Sequence, residues 1–492
     1  MRKQTKLAVV LSAAALLVIG ASMTAFAAKG WQKEGDDWFY YDSQGEMVTG
    51  AWKRSGNDYF YLSDDGPMAR NQLVEDGDNT FFVDGNGVMV RDTWVRVDAD
   101  DNDADLDVEY RWYYFGATGK AYKQSPSSDL KKRSIRGKKY AFDSDGKMLF
   151  GFVDDKGDMN TDEDAILQTD YYFGTNDDGA MYTGWLKYEQ ALDGTDYEDE
   201  DFFWFRYDPT TGKKVTDNYN KKISGKFYAF DANGVMKYGW QDGNASASIA
   251  TKSKYFSSED DGHLAKKTWI WAIPSEDMDI ITKSSDNEDE EYRWFYVGSD
   301  GYTVKNQPKK INGKWYVFDE VGRMKIKLVF LDKESISADA AVEGTFNYTN
   351  KDAADLVGAG KKNVYFFSAD EKKDGSMKTG SFKLEFNDDF YTMGFAKGGC
   401  GYQGVHSNKL YANGVLQAAD PDFKYEIKQN LYRQPEDKAD EYVVGTSGTI
   451  VKPGKYVKDA DDNYYAVNKS WAIQKFPASE DAAKEAREFA KS

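Results

Sequence analysis

Aromatic and polar residues alternate in short runs along this chain. In the first run, Trp38 and Tyr40 fall on one face of an extended segment, while Phe39 and Tyr41 fall on the other. The next four residues, 42–45, read Asp-Ser-Gln-Gly, which places aspartate first and glycine fourth in a type I turn. The alternation and the turn together predict a β-hairpin.

This hairpin pattern repeats at the start of the chain. Trp31, Trp52, Leu73 and Trp94 follow one another at intervals of 21 residues. Each interval also contains an aromatic cluster, a glycine that ends a turn and a methionine; the methionines are Met47, Met68 and Met89. Repeats of this length are units that bury an apolar face only against their neighbours. We therefore predict an all-β fold of tandem β-hairpin repeats stacked as a solenoid, with a short C-terminal helix.

Beyond Trp94 the repeat becomes larger. Three blocks begin near Trp94, Trp185 and Trp269, each predicted to hold three hairpins in the same order. Each block inserts an acidic loop after its opening tryptophan, and such charged runs are predicted to be exposed rather than packed. The acidic loops occupy residues 98–109, 189–201 and 276–291. A separate, alanine-rich insert at 331–362 is predicted to contain a short helix.

Five segments are predicted along the chain. Residues 1–27 read as a secretory signal peptide, because basic residues precede an apolar run and Ala25-Phe26-Ala27 is a cleavage signal. Ser479 is the expected N-cap of the last segment. After the signal peptide the segments are regular repeats at 28–93, the three blocks at 94–384, divergent β repeats at 385–475 and a helix at 476–492.

Charge and cysteine content exclude some function classes. The formal net charge is −19, and −22 without the three basic residues of the signal peptide. A nucleic-acid partner is therefore disfavoured and a cationic ligand favoured. No second apolar stretch of about 18 residues follows, so we expect no membrane span. The single cysteine, Cys400, excludes an internal disulfide.

The repeat resembles a known family. Residues 30–52 read G-W-x6-W-F-Y-Y-D-x2-G-x-M-x2-G-x-W, which resembles the cell-wall-binding repeat of choline-binding proteins. The resemblance extends over residues 30–384 and more weakly to about 470. It implies a left-handed hairpin solenoid with ligand sites between successive hairpins. Each site would be a cage of two aromatic residues from one hairpin and one from the next.

Carried onto this sequence, the resemblance implies a first cage of Trp31 and Trp38 with Tyr59 or Tyr61, and a methionine beside them. A trimethylammonium group has no hydrogen-bond donor, so ring faces recognise it, each contributing ~0.5–2 kcal/mol. Single cages would be weak, and tandem cages would bind a polymer by avidity. The candidate ligand-binding residues are Trp31, Trp38, Tyr40, Met47, Trp52, Tyr59, Tyr61, Met68, Trp94, Trp112, Trp185, Trp204, Trp240, Trp269, Trp294 and Trp315.

The acidic loops have two interpretations. They are either solvated connections, or they overhang three tryptophan pairs and favour cationic ligands or weakly bound calcium. The pairs are Trp94/Trp112, Trp185/Trp204 and Trp269/Trp294. Asp158, Asn160, Asp162 and Asp164 space oxygens as a calcium loop does, but Thr169 stands where the bidentate acid belongs. We therefore assign no metal site and no cofactor.

We expect a secreted, non-catalytic protein of the cell wall or cell surface that attaches to choline-substituted teichoic acid or a wall glycan. An adhesin that recognises α-glucan or host glycans is the first alternative, because related repeats stack rings on sugars. The targeting part of a wall hydrolase is the second. The repeats begin directly after the expected cleavage site and leave no room for a catalytic domain, and His263 and His406 are the only histidines.

Overall fold

The computed structural model describes residues 29–125, 129–190, 192–198, 200–242, 252–274, 292–368 and 374–492. The expected signal peptide and the loop at 276–291 lie outside the described residues. The described chain is mostly β, with many small antiparallel sheets and three α-helices, which confirms the prediction of a β-hairpin protein. It divides into two units, one of residues up to 218 with 230–236, the other of 219–229 with 237–492.

The first hairpins pair their strands in one register. Trp31 lies opposite Tyr40, and Trp52 lies opposite Tyr61, so paired rings share one face of each hairpin. The hairpins are Gly30–Glu34 with Asp37–Tyr41, Ala51–Ser55 with Asp58–Leu62, Gln72–Asp76 with Asn79–Val83, and Thr93–Asp98 with Tyr110–Phe115.

Hairpins continue through the middle of the chain, and two of them gain a third short strand. They are Arg133–Ile135 with Lys138–Tyr140; Phe152–Val153 with Met159–Asn160 and Tyr171–Tyr172; Gly184–Tyr188 with Phe203–Tyr207; Asn218–Ile223 with Lys226–Phe230; Gly239–Asp242 with Ser253–Phe256; Thr268–Ala272 with Arg293–Val297; and Gln307–Ile311 with Lys314–Phe318 and Met324–Lys325.

Larger sheets follow. One has four strands, in the order Val342–Phe346, Lys327–Leu331, Asn363–Phe367 and Met377–Lys378. The next has five, in the order Gly380–Phe386, Asp389–Phe395, Val415–Leu416, Lys409–Ala412 and Gly404–His406. The last two are Tyr425–Gln429 with Glu441–Gly445, and Lys455–Lys458, Tyr464–Val467 and Ile473–Phe476.

The helices are short. The insert at 331–362 contains the helix Ala353–Gly358, as predicted, and another spans Ala165–Gln168. The C-terminal helix spans Ala482–Lys491 and its N-cap is Asp481, so the predictions of a helix from 476 and of Ser479 as N-cap were wrong. Phe476 instead ends a strand, and the alanines of the helix pack against that sheet. Within the described residues, no helix is both long and apolar enough to cross a membrane.

Backbone hydrogen bonds join successive hairpins. The amide of Met68, just after the second hairpin, donates to the carbonyl of Trp38 in the first at 2.7 Å. The amide of Met89 donates to the carbonyl of Tyr59 at 2.9 Å, one hairpin further on. The same contact recurs from Met148 to Trp112, from Met236 to Trp204 and from Leu264 to Phe227. The residue at the methionine position therefore couples each hairpin to its predecessor.

The turn before each methionine forms as predicted. In the first, the amide of Gly45 donates to the carbonyl of Asp42 at 3.1 Å, and Oδ1 of Asp42 accepts the amides of Gln44 and Glu46. Asp84 and Asp143 accept the corresponding pairs of amides. An aspartate that bonds its own turn in this way fixes where the chain leaves each hairpin.

The prediction that the acidic loops are exposed was wrong for parts of both described loops. A 3-10 helix spans Asp101–Leu106, and the side chain of Asp103 within it is only 3% exposed. In the second loop, Leu192 is 1% exposed and packs with Phe203 and Phe205. Lys147, far away in the sequence, pairs with Asp103, and Leu192 among the acidic residues of the second loop packs against rings, so these segments are partly buried.

Candidate ligand-binding sites

The opening tryptophan of a hairpin packs against a ring of the next hairpin. The Trp31 ring meets Phe60 edge-on with centroids 5.3 Å apart, and the Trp52 ring meets Phe81 at 5.0 Å. The same relation holds for Trp94 with Tyr140 at 4.9 Å, Trp240 with Phe295 at 4.7 Å and Trp269 with Tyr316 at 4.8 Å. These edge-to-face pairs are the aromatic core between hairpins.

Three pairs of tryptophans form right-angled corners. The rings of Trp94 and Trp112 are 6.5 Å apart at 90°. Those of Trp185 and Trp204 are 6.2 Å apart at 90°, and those of Trp269 and Trp294 are 6.2 Å apart at 86°. We call these the first, second and third corners. The structure thus brings together each of the three tryptophan pairs identified in the sequence.

A buried phenylalanine from the next hairpin supports each corner. The ring of Phe142 lies 5.8 Å from Trp94, that of Phe230 lies 5.8 Å from Trp185, and that of Phe318 lies 5.8 Å from Trp269. All three phenylalanines are at most 2% exposed, while the six corner tryptophans are half-buried. Each corner is therefore held rigidly from inside the protein and keeps accessible ring surface outside.

The sequence analysis missed a further aromatic residue at each corner, two positions before its second tryptophan. Tyr110 lies 6.1 Å from Trp112 at 90°, so Trp112 has perpendicular rings on two sides. At the third corner Tyr292 stacks on Trp271, which in turn lies 5.0 Å from Trp294. At the second, Lys187 lies over Phe202 at 3.7 Å. The constant spacing of 110/112, 202/204 and 292/294 is a signal that the sequence contains.

The cross-strand partner of the opening tryptophan distinguishes the second corner. Tyr114 faces Trp94 at 5.1 Å, and Tyr296 faces Trp269 at 5.2 Å. In the second corner this position is Arg206, whose guanidinium lies 5.5 Å from the Trp185 ring centroid. A cation of the chain itself is therefore already placed against that ring.

The first block contains a group of buried ion pairs and an exposed carboxylate. Asp103 forms buried ion pairs with Arg111 and Lys147, and Lys147 also bonds Asp100 at 3.0 Å. Burial opposes ionisation of Asp103, but hydrogen bonds from Lys147 and Arg111 outweigh it and lower the pKa of the carboxyl group. Asp98, opposite Tyr110 on the paired strand, stays exposed.

Basic side chains of the protein lie against some of the rings in the region of the first implied cage. Among the described residues, no ring stacks on Trp38, which is half-buried. The Tyr59 ring carries the guanidinium of Arg91 at 5.0 Å and that of Arg54 at 5.9 Å. Lys53 lies over Tyr40 at 5.1 Å. Basic residues of the chain thus already contact two of the rings assigned to ligand binding.

The remaining candidates occupy several environments. Met68 is buried and Met47 is 42% exposed. Trp52 and Tyr61 pack edge-on at 5.1 Å, and Trp240 donates its indole N–H to the carbonyl of Ile273 at 2.8 Å. Trp315 is half-buried on the strand Lys314–Phe318. The ligand-binding role of these residues stays a prediction.

Groups with catalytic or metal-binding chemistry are sparse. The carboxylate of Asp261 and the hydroxyl of Ser257 both contact Nδ1 of His263, so the imidazole cannot relay a proton between them through its two nitrogens. Burial raises the pKa of the Cys400 thiol to about 11. Among the described residues, no three His, Cys, Asp or Glu side chains are grouped to hold a metal ion.

Residues 28–73 match the family model of the choline-binding repeat. No curated protein matches the sequence. Similar solved structures include the modular autolysin LytC of Streptococcus pneumoniae, 16% identical, with 61% of this chain and 54% of that one covered and a TM-score of 0.33. The chain spans about half the length of this autolysin.

Two further similar structures come from the same organism. The choline-binding domain of CbpL is 20% identical, with 56% of this chain and 97% of that one covered and a TM-score of 0.24. Choline binding protein F is 15% identical, with 79% and 98% covered and a TM-score of 0.20. These TM-scores are too low to support a common overall arrangement. The family match identifies choline-binding repeats within residues 28–73.

Proposed function

We propose that this protein is a secreted, non-catalytic binding protein that attaches to a choline-bearing polymer of a cell wall. The observation that carries the proposal is the right-angled tryptophan corner, which recurs in three blocks with ring distances of 6.5, 6.2 and 6.2 Å. Within each unit the hairpins would stack as a solenoid, coupled through the backbone bonds at the methionine positions.

The corner geometry suits a quaternary ammonium group. Two perpendicular ring faces present negative quadrupoles to one cation, and the group needs no hydrogen-bond acceptor. At ~0.5–2 kcal/mol for each ring, two or three rings would contribute roughly 1–6 kcal/mol. A sum of about 4 kcal/mol or less corresponds to a Kd of about 1 mM or weaker, and the upper limit of about 6 kcal/mol to a Kd of roughly 40 μM. Several such sites on one chain would hold a polymer much more tightly by avidity.

The corners are not equivalent in this proposal. The first has Tyr110 as an additional wall, but the guanidinium of Arg96 lies 4.8 Å from the centroid of that ring. The third has Trp271 beside Trp294. In the second, Arg206 lies against Trp185 and would repel an incoming cation. We therefore infer that the third corner binds choline more strongly than the second.

Retention on immobilised choline tests the proposal. The chain from Ala28 onward should be retained on the matrix and released by free choline. A parallel column is eluted with α-glucan oligosaccharides or with soluble wall glycan fragments. Release by choline alone would support recognition of the trimethylammonium group, while release by oligosaccharide alone, or no retention, would contradict it. Incubation with purified peptidoglycan, with no release of soluble fragments, would support a non-catalytic role.

A further inference from the structure

A groove of about 480 Å³ opens in the second unit, far along the chain from the tryptophan corners. It lies between the strand Tyr425–Gln429, the loop that follows Glu441–Gly445, and the strand Lys455–Lys458. Its size is that of a small-molecule site rather than a gap between side chains.

The lining of this groove has the opposite charge to the protein as a whole. Lys424, Lys452 and Lys455 line it, and no aspartate or glutamate does. The chain carries a formal net charge of −19, so a patch with three positive and no negative side chains stands out against its surroundings. Anions would be attracted to this patch at short range.

The three ammonium groups are available to a ligand. None of Lys424, Lys452 and Lys455 forms an ion pair with any residue that the structure describes, and all three are exposed. Two carboxylates that follow these lysines in the sequence are paired with other lysines: Glu426 lies 3.2 Å from Lys428, and Asp462 lies 2.5 Å from Lys458.

Hydroxyl groups and rings complete the lining. Thr446, Ser447 and Thr449 contribute hydroxyl donors, and the last two lie 2.9 Å from each other. Tyr425 and Tyr456 line the walls and are half-buried. Ammonium and hydroxyl donors together recognise phosphate oxygens. The rings would contact the carbon skeleton to which a phosphate is attached.

We propose that this groove binds phosphate groups of an anionic polymer, with a polyol or sugar phosphate unit lying along Tyr425 and Tyr456. This second site would be independent of choline recognition. It would give the C-terminal part of the chain a binding role of its own, by contact with the phosphodiester backbone rather than with a cationic substituent.

Titration of the full mature chain with poly(glycerol phosphate), and separately with inorganic phosphate, tests this site at constant ionic strength. The groove variant is Lys424→Gln/Lys452→Gln/Lys455→Gln. The matched control is Lys428→Gln/Lys458→Gln/Lys475→Gln, which removes the same charge from lysines that are ion-paired at 3.2, 2.5 and 3.9 Å. Saturable inorganic phosphate binding would indicate a single-phosphate site, and binding of the polymer alone would indicate a site that spans several phosphates.

We expect the parent to bind the polymer with a steep salt dependence, the groove variant to bind at least tenfold more weakly, and the control to stay within about threefold. Equal weakening in both triple variants, or no binding by the parent to either probe, would overturn the proposal. If the triple variant fails to fold, Lys452→Gln alone should bind about threefold more weakly than its matched control Lys458→Gln, and equal affinities of these two would overturn the proposal. Retention on choline should be unchanged in every variant, so failure here is distinguishable from failure of the proposed function.

Discussion

Met68 lies directly against Gly87 of the following turn: a Cβ atom on that glycine would fall 2.7 Å from Cε of the methionine. Met47 stands in the same relation to Gly66, and Met89 to Gly119. The glycine and the methionine that recur in the sequence are therefore two halves of one contact between successive repeats. The turn glycine is required by its neighbour as well as by its own positive φ.

This contact predicts the effect of adding one methyl group. Gly87→Ala should destabilise the repeat more than Gly77→Ala does, because both glycines have positive φ but only Gly87 faces a side chain. Overpacking of this kind costs about 1–3 kcal/mol. The midpoint of the first thermal transition should fall by several degrees for Gly87→Ala relative to Gly77→Ala.

Truncation of the methionine provides the control. In the double variant Met68→Ala/Gly87→Ala, the extra methyl group has space, so the part of the Gly87→Ala penalty that exceeds the penalty of Gly77→Ala should largely disappear. If Gly87→Ala destabilises the protein equally with and without the Met68 side chain, backbone strain alone makes glycine necessary at this position.

The second corner predicts a gain of function. Arg206→Tyr would give it the tyrosine that faces the opening tryptophan in the other two corners, at 5.1 and 5.2 Å. Removal of the cation beside Trp185 and addition of a ring should strengthen choline binding at this corner by about threefold to tenfold. Tryptophan fluorescence during choline titration measures this, and Arg206→Lys, which keeps the charge, should leave affinity near the parent's. Weaker binding by Arg206→Tyr would show that the arginine assists the ligand.

The buried ion pairs of the first block predict a pH-dependent stability. Asp103→Asn should destabilise residues 98–115 by about 3–5 kcal/mol at neutral pH, because Arg111 would lose its buried partner. Hydrogen exchange in peptides from this segment measures the effect, with the exposed Asp101→Asn as control. Protection should fall in Asp103→Asn alone.

The sign of the pH effect follows from the pKa. The folded-state pKa of Asp103 is lowered from the ordinary 3.8, so its contribution is fully present above that pH and is lost as the pH falls through the folded value. The difference between parent and Asp103→Asn should therefore vanish in strong acid. A difference that shows no decline as the pH falls from neutral into strong acid would contradict the assignment.

Much of the fold could be predicted from local pattern. Alternating rings and the Asp-x-x-Gly turn determine a hairpin within a few residues of sequence, so elements such as Asp37–Tyr41 follow directly. Burial of Asp103 could not be predicted in this way, because Lys147 lies 44 residues away and only the tertiary fold brings them together. The C-terminal helix was extended too far because nothing local shows that Phe476 belongs to a sheet.

The candidate sites also combine features that follow from local sequence pattern with features that depend on the tertiary fold. The tryptophans at 94, 185 and 269 were identified by spacing, and their right-angled partners by the aromatic clusters that follow. The cations that lie against some rings, such as Arg91 over Tyr59, come from a different repeat and depend on how hairpins stack. The sequence alone therefore located the candidate aromatic residues, but it did not indicate which of them would contribute more to ligand binding.

The exposed carboxylates near the first corner predict a modest electrostatic contribution. Asp98→Asn should weaken choline binding by about twofold to threefold at low salt, because its charge faces Tyr110 across the hairpin and attracts a cation. The exposed Asp65→Asn, in a turn of another hairpin, should have no effect. The difference should shrink as ionic strength rises, and a salt-independent loss would indicate a packing role for Asp98 instead.

The most direct test is the choline affinity of corner variants in the full mature chain, measured by calorimetry. Trp112→Leu and Trp294→Leu each remove one wall of a corner, whereas Trp471→Leu makes the same change at a tryptophan outside the candidate sites, which packs edge-on against Tyr442. We predict that each corner variant loses one set of choline sites and that Trp112→Leu/Trp294→Leu is no longer retained on choline, while Trp471→Leu binds as the parent does. Retention of the double variant at parental strength would contradict choline recognition by the tryptophan corners.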